Sequence, residues 1–314
     1  MILKQKINVL MFHHFHLNKN DKYVKNSLSL KDFEKIIKKI GKKKILSPDI
    51  WYEKFINKRL KKDEYCFTFD DGLKSQFKIA LPVLKKYKLK CFWFIFTSIF
   101  ENKFDTNEIN KYFYNKKFKN FHDFFLLFKD EINYLKRKNF ILKSLKQKKA
   151  TNYYKQFKFY SLEERLYRYL RDQILTKEEF QFIHEKLFKK FNFNKKKIIN
   201  KLWLNKEDLK KIVRNKHVLG LHSHNHDTQI SKKSYFEQYN DYKKNYNYLK
   251  KFYDQKIFCS AHPFDSYDRN SIKVLKRFGI ILSFSALYVK KFTSMNIPRI
   301  DHANFLKSNL KVEK

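Results

Sequence analysis

Two short stretches carry residues whose types and spacing suit chemistry. The first is Tyr65-Cys66-Phe67-Thr68-Phe69-Asp70-Asp71-Gly72, an apolar run rich in aromatics that reads as a buried strand, closed by two adjacent carboxylates and a glycine. Side chains alternate along extended backbone, so Asp70 and Asp71 are expected to point to different places, one able to bind a metal while the other faces a water or substrate. Gly72 permits the tight exit such a turn needs. The same pair could instead cap the helix that follows, and this stretch alone leaves both readings open. The second stretch, Leu219-Gly220-Leu221-His222-Ser223-His224-Asn225-His226-Asp227, is again a short apolar run with polar groups at its end. His222 and His226 are four apart, so one helical turn or an equivalent bend sets both imidazoles on one side. Two histidines and one carboxylate with a position left open form the pattern of a catalytic zinc site. Of the eleven histidines in the chain, His217, His222, His224 and His226 fall within ten positions, which argues against chance clustering.

Thr68-Phe69-Asp70-Asp71-Gly72 and His222-Ser223-His224-Asn225-His226 resemble the first two motifs of the polysaccharide deacetylase family, the NodB homology domain or carbohydrate esterase family 4. The resemblance implies that Asp70 is the general base and that Asp71, His222 and His226 hold a divalent metal, zinc first, with cobalt, manganese or nickel as alternatives. It also implies an α/β fold, a distorted, incomplete (β/α)7-type barrel. Residues 1–314 then form one catalytic domain with a helical insertion at about 104–200. Three further segments fit the family less closely. Leu10-Met11-Phe12-His13 resembles its L-M-Y-H opening, which puts His13 near the mouth of the site; an exposed loop histidine is the competing reading. His262-Pro263-Phe264-Asp265-Ser266-Tyr267-Asp268 resembles the third motif, with His262 replacing tyrosine, Asp265 replacing glycine, and no arginine of the kind some members carry there. That match sets His262 at the rim and a backbone N–H of the Pro263-Phe264 turn at the oxyanion. Ile297-Pro298-Arg299-Ile300-Asp301-His302 resembles a late P-R-I element. From it Arg299 is expected to orient Asp70 by a bidentate pair, and His302 becomes a candidate general acid; a strand-end ion pair and a surface histidine are the plain alternatives.

The elements that must position these residues follow from periodicity. Ile7 to Phe12 reads as a first strand, and Ser29-Leu30-Lys31-Asp32 as a capping box opening a helix with Phe33, Ile36, Ile37 and Ile40 on one face. After the first motif come an amphipathic helix interrupted by Pro82 and the strand Cys91 to Thr97, a strand-helix-strand order that implies a parallel pair with a right-handed crossover. From about 104 to 200 the chain is helical, with a face built from Leu162, Leu166, Leu170 and Ile174; a lid and a packing or oligomer surface are equal readings of this segment. A capped helix at Asn205 leads into the histidine strand, a long helix spans Ser234 to Tyr253, and strands follow over 257–261 and 280–284.

The 314 residues suffice for one large domain. A formal charge of +40 would ordinarily suggest nucleic acid. Lysine far outnumbers arginine, however, and Lys, Asn, Ile, Phe and Tyr are inflated together while Gly and Pro are scarce. A coding bias toward A and T accounts for all of these, which sets nucleic acid aside and leaves an anionic ligand or membrane surface as the partner the charge would favour. The three cysteines lie in apolar runs and form no C-x-x-C pair, so they read as reduced core thiols. With no signal-peptide pattern and no run of about 18 apolar residues, the expected location is cytoplasmic, at most at the inner face of the membrane. Together these features favour a metal-dependent deacetylase acting on an N-acetylated amino sugar, nucleotide-linked or lipid-linked, in surface-glycan synthesis. O-acetyl ester or N-formyl hydrolysis is the chemical alternative, and a basic nucleic-acid-binding scaffold on a vestigial fold the non-enzymatic one. The oligomeric state is left open.

Overall fold

A computed structural model describes residues 7–309 apart from 20, 103, 104, 156, 158, 159, 288 and 290. Among the described residues seven strands, β1 (Asn8–Phe12), β2 (Tyr65–Phe69), β3 (Phe92–Ile95), β4 (Val218–Leu221), β5 (Cys259–Ala261), β6 (Leu282–Phe284) and β7 (Ile300–Asp301), form one parallel sheet in the order β6-β5-β4-β3-β2-β1-β7. Parallel neighbours require a crossover, and helices such as Leu30–Ile40, Lys206–Arg214, Tyr235–Lys250 and Arg269–Arg277 supply it. The sheet is open and curled. The β6 edge carries one isolated parallel bridge, Phe284 to Ile297 in the segment ahead of β7: Ile297 N–H donates to Ser283 O and Ser285 N–H to Ile297 O, both at 2.8 Å. The result is a distorted, incomplete (β/α)7-type barrel flanked by helices.

Alternation divides the strand residues. Val9, Cys66, Phe92, Phe94, Val218, Cys259, Ala261, Leu282 and Phe284 share one core cluster, joined by Trp51 and Phe55 from the helix Pro48–Ile56. Phe12, Phe67 and Phe69 instead pack edge-on or tilted against Phe33 of the first helix. Both faces are covered, which is why the strands read as unbroken apolar runs. Gly220 is required by packing: a Cβ there would lie 2.4 Å from the Phe94 ring. Thr68 and Asp70 continue the parity of Cys66. Pro82 sits in the first turn of the helix Leu81–Lys86, after a wide π-type turn over Gln76–Ala80, so it opens a segment where an interruption was expected. The three cysteines are buried free thiols.

The chain divides into two compact units, one of residues up to Asp105 and from Asn200 onward, the other Thr106–Ile199. Among the described residues the regular elements of the second are all helices. Ser161 and Thr176 form full capping boxes, and Asn120 caps Phe121–Ile132. Its core is aromatic, with Phe113, Phe124, Phe128, Tyr167 and Ile183 buried. The leucine face expected from i+4 spacing is buried in part: Leu170 is fully buried and Leu166 and Ile174 are half-buried. Leu162 is 47% exposed, and Tyr167 turns inward to meet Phe121, Phe124, Phe128 and Phe180. An aromatic ring buries more area than leucine and gains edge-to-face contacts, and this decides the rotation of the helix. Among the described residues no helix is long and apolar enough to cross a membrane.

Candidate metal centre and catalytic site

β2 ends at Phe69, and Asp70 follows on the inner face, 2% exposed. Its N–H donates to Phe12 O (3.2 Å), while Gln76 Nε2 donates to the carbonyls of both Asp70 (2.6 Å) and His13 (2.9 Å), fastening the exits of β1 and β2 together. Arg299 grips the Asp70 carboxylate with two parallel bonds, Nη1 to Oδ1 and Nη2 to Oδ2, each 2.7 Å. The guanidinium also donates from Nη1 to Thr68 Oγ1 and from Nε to Ser285 O, each 3.1 Å, and is itself 1% exposed. Burial alone would raise the Asp70 carboxyl, but Arg299, with His222 and His13, holds it below the usual carboxylate range.

Asp71 lies beyond the strand, so strand alternation does not set its direction. Its φ of 72°, followed by 61° at Gly72, swings the carboxylate sideways in a two-residue left-handed turn. Oδ1 arrives 3.2 Å from His222 Nε2 and 3.1 Å from His226 Nε2. Asn245 receives the His222 N–H (3.0 Å) and donates to Ile95 O (2.9 Å), joining the exits of β3 and β4. After His222 the chain bends without forming a helix. Ser223 (φ 57°) and His226 (φ 53°) are both left-handed, and His226 N–H donates to Ser223 Oγ (3.1 Å). Left-handed non-glycine residues recur here, at Asp71, Ser223, His226, Phe264 and Asp265. Backbone strain of this kind gathers where a site dictates the geometry.

The outer ring nitrogens fix what the inner ones can do. His222 Nδ1–H donates to Ala261 O and His226 Nδ1–H to Asp105 Oδ2, each at 2.9 Å. Once Nδ1 carries the hydrogen, a neutral imidazole presents a lone pair at Nε2. Two lone pairs and a carboxylate oxygen then converge, and these ligand atoms all lie within 4.8 Å of one another. Such a cluster repels itself unless a cation or a proton lies between its members. Burial would lower the His226 imidazole, yet Asp71 and Asp105 outweigh it and push it up to about 10; Asp71 is held well below its ordinary range against its own desolvation. One carboxylate and two imidazoles with fixed outer bonds match the donor set and the supporting contacts of a divalent metal site. Asp71, His222 and His226 form a divalent-metal-binding triad. The His226 ring is further held between Phe96 (4.7 Å, 9°) and Phe264 (4.6 Å, 38°).

The other expected residues separate. His13, its side chain 24% exposed, points Nε2 at Asp70 Oδ2 (3.7 Å) and Asp71 Oδ2 (4.0 Å). His302 is turned elsewhere: its Nε2–H donates to Asn26 O (2.7 Å), its ring stacks on Phe12, and no ion pair joins it to Asp70 or Asp71 among the described residues. His262 is not at a rim. It is 1% exposed and stacked on Tyr267 at 4.0 Å, its Nε2 is 2.8 Å from Met295 O and 2.9 Å from Ser283 Oγ, and burial lowers its pKa to about 4. Smaller than tyrosine, histidine at this position fits inside the sheet, where the neighbouring carbonyl holds it. Of the Pro263-Phe264 pair only Phe264 has an N–H to offer. His224 leaves the triad for Thr97 Oγ1 (2.9 Å) and Glu101 (3.5 Å), and His217 Nδ1 accepts from Cys91 N–H (3.2 Å).

Several supporting residues escaped the motif reading, among them Gln76, Asp105, Asp241, Asn245 and Ser285. Gln238, Asp241 and Asn245 did carry a signal: they are buried polar residues at helical spacing on Tyr235–Lys250, where an apolar stripe belongs. Asp241 uses it to accept from the N–H groups of His224 (2.7 Å) and Asn225 (3.2 Å).

No curated protein matches the chain significantly in sequence. Solved structures do match in fold: the deacetylase PplD of Streptococcus pyogenes in complex with acetate (TM-score 0.57, 16% identity, covering 97% of this chain and 98% of that one), a polysaccharide deacetylase of Bacillus cereus (0.54, 14%, 97% and 69%) and a de-N-acetylase of Aggregatibacter actinomycetemcomitans (0.52, 10%, 94% and 94%). A family profile described as polysaccharide deacetylase matches residues 173–282, which include both histidines of the triad. The exit of β2 adds an aspartate to the two histidines of the matched stretch, so the chain is similar to the polysaccharide deacetylase family over residues 173–282 and shares the fold of these solved structures.

Proposed function

We propose that this metal-dependent hydrolase removes the acetyl group from the nitrogen of an amino sugar carried on a phosphate-bearing intermediate of surface-glycan assembly. The observation that carries the reading is the convergence of His222 Nε2 and His226 Nε2 on Asp71 Oδ1, beside an Asp70 locked by Arg299. Asp71, His222 and His226 would hold a divalent ion, zinc by preference for this donor set, which when bound would supply Lewis acidity toward the amide carbonyl and the attacking water. Asp70, anionic at neutral pH, takes the proton from that water. Its bidentate bond to Arg299 leaves each oxygen a further lone pair for the task. His13, partly open to solvent and facing both carboxylates, delivers a proton to the leaving amine. His302, tied to Asn26, is less suited to that step. We assign the oxyanion to a backbone donor of the left-handed turn at Phe264, whose ring lies against His226. The acetate in PplD and the names of the other relatives agree with acetyl transfer to water.

The phosphate in the substrate is suggested by the charge of +40, which would draw a nucleotide-linked or lipid-linked sugar from solution or from an anionic membrane surface. The test is acetate release from amino-sugar nucleotides, lipid-linked amino sugars and phosphate-free oligosaccharides of N-acetylglucosamine, with metal content measured alongside. Release from the phosphate-bearing compounds, with a KM that rises with salt, is the expected result. Equal use of neutral oligosaccharides with a salt-independent KM would overturn the phosphate assignment, and no release from any of them would overturn deacetylation.

A further inference from the structure

Asp265 sits where a left-handed turn would ordinarily call for glycine, with φ of 59° beside Phe264 at 51°. Its carboxylate compensates. Oδ1 accepts from Ser285 Oγ–H (2.5 Å) and from Ala286 N–H (2.9 Å), so the turn after β5 is fastened to the exit of β6. The carbonyl of the same Ser285 accepts the Nε–H of Arg299 (3.1 Å), and Arg299 holds both oxygens of Asp70. A continuous series of bonds therefore runs from Asp265 through Ser285 and Arg299 to Asp70, from the exits of β5 and β6 to the exit of β2.

We infer that Asp265 is a positioning residue. By holding the 285–286 backbone it sets the Nε acceptor of Arg299, and through Arg299 it sets the direction of Asp70; by the same turn it holds Phe264 against His226. A guanidinium with five donors needs its acceptors in fixed directions. Thr68, Ser285 and Asp70 take four bonds from Arg299: Thr68 lies in β2, Asp70 follows the end of β2, and Ser285 follows the end of β6. Ser285 is thus the acceptor on a second strand exit, the one to which Asp265 is bonded. The carboxylate acts as an acceptor in both bonds, so asparagine, which keeps an acceptor oxygen and tolerates left-handed backbone, can stand in for it there.

This inference rests on the deacetylase reading above, and the test separates the two. Asp265→Gly, Asp265→Asn, Ser285→Ala and Asp70→Asn are compared in the metal-loaded full chain for kcat and KM on the best acetylated substrate, for metal content and for thermal midpoint. Exchange of the Arg299 Nε–H with solvent is followed by NMR and assigned with Arg299→Lys. Asp265→Gly relieves the backbone and should keep its metal and its thermal midpoint while kcat falls about tenfold to a hundredfold at unchanged KM. Its Arg299 Nε–H should exchange faster. Asp265→Asn should recover most of the loss, and Ser285→Ala, which removes one of the two anchoring bonds, should fall between. Wild-type kcat and a protected Nε–H in Asp265→Gly would overturn the inference, as would Asp265→Asn proving as damaged as glycine. Should Asp265→Gly fail to fold, Ser285→Ala decides by the same two readouts. If Asp70→Asn keeps its turnover, the functional reading fails; if Asp70→Asn is inactive and Asp265→Gly is not, only the positioning role fails.

Discussion

Each unit of the molecule buries a histidine among aromatic rings, with opposite results. His184 lies among Phe124, Phe128, Phe180, Phe188 and Tyr167, and burial alone lowers its pKa to about 3. His226 lies between Phe96 and Phe264 and is just as enclosed, yet its pKa is pushed up to about 10. Two carboxylates, Asp71 and Asp105, make the difference. An aromatic box neutralises an imidazole, and carboxylates on both sides turn the same box into a cation site. The contrast extends to arginine. Arg171 grips Asp172 with two bonds (2.6 and 2.9 Å), much as Arg299 grips Asp70, but Tyr153 also bonds the Asp172 carboxylate (2.9 Å), whereas Asp70 faces the partly open His13. Buried charge is common to both units. A convergence of groups that only a cation or proton can satisfy is found, among the described residues, in the barrel unit.

The comparison breaks most directly at the triad. Asp71→Asn, His222→Ala and His226→Ala should each lose stoichiometric metal and reduce hydrolysis to background, while His184→Gln should keep both. Elemental analysis after dialysis is the measurement. Full metal occupancy in the triad variants would mean that the convergence is only a proton-bridged ion pair.

The two arginine–aspartate pairs give the next test. Asp70→Asn preserves shape but removes the proton acceptor, so turnover should drop by about 10² to 10⁴ with metal retained. Asp172→Asn should leave turnover per folded molecule unchanged and lower the thermal midpoint, because one carboxylate bond to Arg171 and the charge of the pair are lost in a buried place. A loss of metal in Asp70→Asn would show that both adjacent acids serve as ligands.

What the sequence disclosed follows the same division. Strands carrying chemistry at their ends were legible, because Phe67 to Asp71 and Leu219 to His226 confine apolar run and polar terminus within a few positions. The direction of Asp71 was expected from strand alternation and comes instead from a left-handed turn, which depends on how Gly72 and Leu73 leave β2. Asp105 gave no warning, since it reaches His226 from 121 positions away with no motif around it. His262 was displaced from the rim because a resemblance fixes a position in a motif and not a rotamer, and the Met295 carbonyl draws it inward. In the helical unit the capping boxes were legible and the buried face only in part. Caps are local hydrogen bonds, whereas the face is chosen by which ring finds the aromatic cluster.

Acidity sharpens the histidine comparison at a smaller scale. The folded pKa of His226 in the metal-free protein, about 10, lies above the ordinary 6.5. Its contribution to metal-free stability is therefore complete below about pH 6.5 and is lost as the pH rises through about 10. A metal needs the Nε2 lone pair and must displace that proton, so affinity should climb by about tenfold per pH unit between these limits. Calorimetric titration at pH 8 in buffers of different ionisation enthalpy should count about one proton released from His226 for each ion bound. Binding without proton release would show that the metal-free His226 is neutral and that the two buried histidines differ less than their surroundings imply.

The smallest effect belongs to His184. Here the folded pKa of about 3 lies below 6.5, so the unfolded chain binds the extra proton and stability should fall as the pH drops from about 6.5 toward 3. His184→Leu removes that dependence but strands the Tyr167 hydroxyl, which is buried and bonded to His184 Nε2 at 2.9 Å. At neutral pH the variant should lose about 1–3 kcal/mol from the unsatisfied hydroxyl. Tyr167→Phe combined with His184→Leu should recover much of this, since replacing both partners by apolar groups is nearly neutral where replacing one is not. Urea unfolding at pH 7 and pH 5 measures all three proteins, and the gap between wild type and the double variant should narrow at the lower pH. A double variant that remains as unstable as His184→Leu would mean that the imidazole stabilises this core by its packing, and that its bond to Tyr167 contributes little.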